Sequence, residues 1–121
     1  MGGVADWSLN GVPVRLYPSV RDTRLNDIIH YHAKDFDADC VISFQDVWVL
    51  EGWGFPRGFT WLPWMPVDTE PVSPKVTSAL EGCFVPMCYS KWGTEALKTA
   101  GWPTAKHVPL GVDLDIYKPQ P

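Results

Sequence analysis

The spacing of apolar and polar positions changes several times along the chain, and each change marks a candidate element. Val12, Val14 and Leu16 alternate as a half-buried strand should. From Thr23 to Asp35 and just beyond, Leu25, Ile28, Ile29, His32 and Phe36 recur at helical spacing, and Asp22 or Thr23 can accept from the orphan amides of a first turn. This pattern predicts a helix of about three turns. Cys40 to Phe44 is a short apolar run after an acidic turn, the pattern of a strand buried on both faces. A loop bearing Gly52, Gly54, Pro56 and Gly58 leads to a second strand, Phe59 to Trp64. Ser73 and Pro74 then form an N-cap and first-position pair ahead of Val76, Ala79 and Leu80, with Gly82 ending a short helix. Phe84 to Tyr89 reads as a strand, and Ser90 caps a helix carrying Trp92, Ala96, Leu97 and Ala100. Gly101 supplies the left-handed stop and Pro103 blocks continuation. Lys106 to Leu110 is the last strand.

Strands alternating with helices require long connections between parallel neighbours, so the expected class is α/β: a Rossmann-like, three-layer arrangement around a mainly parallel sheet with right-handed crossovers. Cys40 to Phe44, Phe84 to Tyr89 and Lys106 to Leu110 are expected among its buried strands. Ligands of such sheets bind beyond the carboxyl ends of the strands. That rule collects Gln45 and Asp46, then Asp68, Thr69 and Glu70, then Ser90 and Asp113, on one rim.

Composition narrows the function classes. With 121 residues the chain is expected to form one domain, and a net charge of -4 with scattered cations argues against binding a phosphate backbone. No apolar run reaches the roughly 20 residues of a membrane span. The amino terminus lacks a basic region followed by an apolar stretch, so the expected location is the cytoplasm. Cys40, Cys83 and Cys88 are odd in number and fit reduced, buried thiols better than a disulfide framework or a zinc ligand set.

Most short motifs favour structural readings. Asp35, Asp37 and Asp39 lack the Gly and the terminal Glu of a calcium loop and read as a solvated turn. His30 and His32 are two apart and point to different helix faces, so they cannot clamp one ion; His32, on the apolar stripe, reads as a hydrogen-bonded core residue. No metal site or cofactor is expected. Among the aromatics between Phe44 and Trp64, Phe44, Phe59 and Trp61 suit the core. Trp48, Trp53 and Phe55 lie in a loop, where a role in binding or association is as much expected as one in packing. There is no Gly-rich phosphate loop and no nucleophile elbow, and helix capping accounts for Ser90.

More specific signals lie in the last third. Tyr89-Ser90-Lys91-Trp92-Gly93, Glu95-Ala96-Leu97-Lys98, Ala100-Gly101, Val108-Pro109-Leu110-Gly111-Val112-Asp113 and Tyr117-Lys118-Pro119 resemble the close of the amino-terminal domain in family 4 glycosyltransferases of the GT-B fold. Pro66 to Val72 and Ile42 to Leu50 are similar to earlier segments of that domain, so the resemblance covers about Val12 to Pro119. It implies transfer of a sugar from a nucleotide donor with retention of configuration, the acceptor meeting mainly this half. The family's paired-glutamate donor motif, opening strand and Gly-rich loop have no counterpart here. The implied protein is therefore a partial acceptor-side domain lacking its donor-binding domain, not competent in catalysis alone. Its cleft candidates are Asp46, Trp48, Trp53, Asp68, Glu70, Ser90, Lys91 and Asp113, with Lys91 the cation nearest the rim and a carbohydrate acceptor the expected partner. The alternative is a stand-alone binding or self-assembly module that reuses the half-domain. Either way, an incomplete sheet leaves an edge and apolar surface, and a homodimer is the simplest symmetric remedy.

Overall fold

The computed structural model describes residues 3–50 and 59–120. Its strands are β1 (Ala5–Leu9), β2 (Val12–Leu16), β3 (Cys40–Phe44), β4 (Thr60–Met65), β5 (Met87–Cys88) and β6 (Lys106–His107). The helices are α1 (Ile29–Asp35), α2 (Pro74–Ala79) and α3 (Lys91–Thr99), with a 3₁₀ turn at Val47–Val49. Strands β3 to β6 form one parallel sheet in the order β3-β4-β5-β6, flanked by helices. This is the expected α/β class, a small Rossmann-like half-domain.

Parallel register puts residues paired across β3 and β4 on a common face. Val41 pairs with Trp61 and Ser43 with Pro63 on one side, while Ile42 pairs with Leu62 and Phe44 with Trp64 on the other. The first side is the core. Trp61, Met65 and Cys88 are buried there with Leu80, Ala96 and Leu97, and Leu25, Ile29 and Val76 pack around them. Trp61 Nε1 donates to Ser43 Oγ at 2.9 Å, which satisfies a hydroxyl that would be costly to bury alone.

The opposite side departs from expectation. Cys40 to Phe44 is a strand, as its apolar run predicted, but it is not buried on both faces: Ile42 is 58% and Phe44 59% exposed, and Cys40 is exposed too. Among the described residues no helix packs over this face of β3, and Phe44 is not the core residue its composition suggested. Phe44, Trp64 and Tyr89 instead form an aromatic cluster on this outer face, with centroids 5.0 Å apart for Phe44 and Trp64 and 5.5 Å for Phe44 and Tyr89. Both later strands are shorter than expected. In Phe84 to Tyr89 only Met87–Cys88 is strand, following the buried, donor-less Pro86, and Lys106–His107 is exposed at the far edge and ends before Pro109.

Helix boundaries follow local chemistry. Ser73 Oγ accepts from Lys75 N and Pro74 occupies the first turn of α2; Ser90 Oγ accepts from Gly93 N at 3.0 Å to start α3, and Gly101 takes φ 102 just beyond its end. The first predicted helix is corrected. It begins at Ile29 rather than near Thr23, because Leu25 sits at φ 65 and breaks the spiral, and Asp22 accepts from Arg24 N instead of capping it. His32 does behave as a structural residue: its Nε2 donates to the Pro18 carbonyl at 2.9 Å.

The hairpin β1-β2 was half legible. The alternation of Val12, Val14 and Leu16 belongs to the second arm of an antiparallel ribbon whose turn, Asn10-Gly11, has φ 50 and 81. Positive φ at both central residues gives the twist that two-residue hairpins need, and Asn-Gly adopts it at low cost. The ribbon stands apart from the parallel sheet, and β2 is largely exposed rather than half-buried.

Candidate functional site

The carboxyl ends of β3 and β4 open onto a cleft of about 270 Å³. Its lower wall is Asp46, Val47 and Trp48, which follow β3; its opposite wall is Pro66, Val67, Asp68 and Thr69, which follow β4; Val72, Ser73, Lys75 and Val76 close it from the start of α2.

The 3₁₀ turn positions the first wall. Val47 and Leu50 are buried at 1% and 2% exposure, and with these two anchors the intervening Trp48 projects outward at 53% exposure. A link to the segment before α1 steadies that turn. Asn26 Nδ2 donates to Asp22 Oδ2 at 2.6 Å and to the Val49 carbonyl at 3.2 Å. The Arg24 amide is the main reason the Asp22 carboxyl lies below its ordinary value, with the Asn26 amide next.

The second wall is set by α3. Gly93 lets that helix approach so closely that a Cβ there would lie 3.0 Å from Val67 Cβ and 3.1 Å from Ser90 Oγ. At the sheet's rim, burial raises the Tyr89 phenol above its ordinary value and the Asp46 carboxylate adds to the rise, while the Tyr89 hydroxyl donates to the Trp64 carbonyl at 3.2 Å.

Of the residues expected on the rim, the structure brings Asp46, Trp48 and Asp68 into the cleft, with Thr69 beside them. Glu70 is exposed next to Pro71 and does not line it. Ser90 is engaged as the cap of α3. Lys91 lines a separate groove with Thr94, Glu95 and His107. Asp113 folds onto its own turn, its Oδ1 accepting from Asp115 N at 2.9 Å. Trp53 lies outside the described residues. The cation of the cleft is Lys75 in the first turn of α2, not Lys91 as expected. The signal was present, because a residue in the first turn of a helix that follows a strand is carried to the strand's carboxyl end.

Chemically the cleft offers two carboxylate acceptors, hydroxyls from Thr69 and Ser73, one ammonium and an indole face. Among the described residues neither the Asp46 nor the Asp68 carboxylate has an ion-pair or hydrogen-bond partner, and no group of three or more metal-ligating side chains converges. No protein-family model matches the chain, and neither the curated proteins nor the solved structures contain a match.

Proposed function

We propose that this chain is an acceptor-side portion of a retaining glycosyltransferase of the GT-B type, and that its cleft holds a hydroxyl-rich carbohydrate acceptor. The observation that carries this reading is the meeting of an outward indole with two unpartnered carboxylates in one cleft at the carboxyl ends of parallel strands. An indole face takes up the C-H face of a sugar ring, and carboxylates accept pairs of hydrogen bonds from vicinal hydroxyls. The motifs between Tyr89 and Pro119 support the family assignment, and the three free thiols suit a cytoplasmic setting.

Transfer also needs cations to stabilise a departing nucleoside diphosphate. Lys75 alone is a thin supply, so the donor and the stabilising charge belong in this reading to a second domain. The expected behaviour is weak carbohydrate binding without turnover. Titration with a panel of mono- and oligosaccharides, followed by tryptophan fluorescence and by ligand-observed NMR, should show millimolar binding. Trp48→Ala and Asp46→Asn should each abolish it. Binding unchanged in both variants, or sustained release of nucleoside diphosphate from sugar nucleotides by the isolated chain, overturns the proposal. The second reading, self-assembly of a homo-oligomer, is favoured by the exposed apolar face of the sheet.

A further inference from the structure

Two apolar faces in this chain lack cover among the described residues. The register of the hairpin pairs Ala5 with Leu16, Trp7 with Val14 and Leu9 with Val12, so all six side chains share one face of the ribbon, while Asp6, Ser8, Pro13 and Arg15 share the other. Trp7, Leu9 and Val12 are 62%, 55% and 61% exposed. The polar face carries the hairpin's own ion pair, Arg15 with Asp6 at 2.8 Å, and Arg15 also reaches Asp35 at the end of α1 at 4.0 Å. A two-stranded ribbon is at best marginally stable alone and needs its apolar face packed. The second bare surface is the outer face of the parallel sheet, built from Cys40, Ile42, Phe44, Leu62 and Trp64. Its cluster presents hydrocarbon, because Trp64 Nε1 donates inward to the Val108 carbonyl at 2.8 Å and the Tyr89 hydroxyl to the Trp64 carbonyl. Such a surface offers few hydrogen bonds to a polar ligand and suits another apolar protein face.

We propose that the occupant is a second copy of this chain, each copy laying the apolar face of its β1-β2 hairpin on the outer face of its partner's β3-β4 pair. The dimensions agree, since the hairpin arms and β3 have five residues each and β4 six. Area selects the arrangement. Each bare face exposes on the order of 500 Å² of apolar surface, so hairpin against hairpin, or sheet against sheet, buries about 1,000 Å² in total and falls below a stable interface. Reciprocal exchange buries all four faces, about 1,800 Å² after incomplete contact, which lies within the range of specific dimers. The contact closes on a two-fold axis and leaves the Asp6 and Arg15 faces in water.

The test is sedimentation velocity from about 1 to 100 micromolar, a range suited to ordinary homodimers, on the full chain and on two charged variants. Leu9→Glu alters the hairpin face and Ile42→Glu the sheet face; both positions are exposed, and circular dichroism checks that each variant folds. The native chain should sediment at twice 13.6 kDa and each variant as a monomer. In parallel, alkylation of Cys40 should slow at least tenfold as native protein is concentrated through the transition. A monomer at every concentration overturns the proposal. So does a dimer sensitive to only one of the substitutions, which indicates like-on-like pairing, or a dimer whose Cys40 remains fully reactive.

Discussion

Replacing Gly93 with Ala sets two opposed effects against each other at one atom. Helix propensity favours Ala over Gly by about 1 kcal/mol in a helix interior, and on that ground alone the variant gains stability. The added Cβ, however, meets Val67 Cβ at 3.0 Å, Ser90 Oγ at 3.1 Å and Cys88 Sγ at 3.5 Å. The first contact is with a branched carbon beside the sheet and the second with the hydroxyl that caps the helix, so neither yields without displacing backbone or losing the cap. Overpacking of this kind costs about 1–3 kcal/mol. Set against the propensity gain, the net expectation is a loss of up to about 2 kcal/mol, or up to about 8 °C in Tm for a domain of this size. Urea unfolding followed by far-ultraviolet circular dichroism measures it, with Thr99→Ala at the exposed end of α3 as control, where the change stays within about 0.5 kcal/mol. Because Val67 also lines the cleft, the same substitution should weaken carbohydrate binding. A Gly93→Ala variant more stable than the parent by about 1 kcal/mol, the full propensity gain, refutes the claim that close approach of α3 shapes this wall.

Four further outcomes can be measured in the same way. Ser90→Ala removes the acceptor for Gly93 N and should cost about 1 kcal/mol; combined with Gly93→Ala the losses should be less than additive, since both act on the same hydroxyl. Leu97→Ala empties a fully buried site and should cost about 2–5 kcal/mol by urea denaturation. Burial pushes the Cys83 and Cys88 thiols up to about 12 and about 11 from an ordinary 9.0. Raised folded values mean that the unfolded chain loses these protons first, so the urea midpoint should hold below about pH 9 and fall as pH rises toward 11, and the double variant Cys83→Ala, Cys88→Ala should flatten that fall. The lowered Asp22 carboxyl acts in the other direction: its contribution is present above the ordinary carboxylate value and disappears as pH falls through the folded one. Asp22→Ala should therefore flatten the acid limb of the stability curve and loosen the turn carrying Trp48, seen as a change in indole fluorescence.

Elements defined by local chemistry were the most legible. Ser73-Pro74, Ser90 and Gly101 announce helix ends because capping is decided within a few residues, and the run Thr60 to Met65 shows its strand through its own composition. Where distant packing decides, the pattern misled. Leu25 is apolar and correctly spaced for a helix, yet the core claims its side chain while its backbone turns left-handed to begin α1 four residues later. Cys40 to Phe44 looks doubly buried because its own residues are apolar, and nothing in them reports that no described element packs over one face. The cleft followed the same division. The rule of strand ends reached Asp46, Asp68 and Thr69, and the loop position of Trp48 marked it separately, whereas Lys75 depends on where α2 begins in space, and Ser90 and Asp113 are drawn off by bonds to their own turns.

The sequential order β3-β4-β5-β6 has a consequence for how the protein is made. Partner residues across successive ladders are close in the chain: Cys40 meets Thr60, Trp64 meets Met87, and Met87 meets Lys106. No strand waits for a distant segment to be threaded between two others. Each new strand adds at the open edge as soon as its connecting segment has formed, so the sheet can grow in the direction of translation, each step closing a loop of similar entropy. Ribosome-bound chains ended after Met65, after Tyr89 and after Val108 should accordingly gain protease resistance in that order, with each stretch of sheet protected before the next emerges.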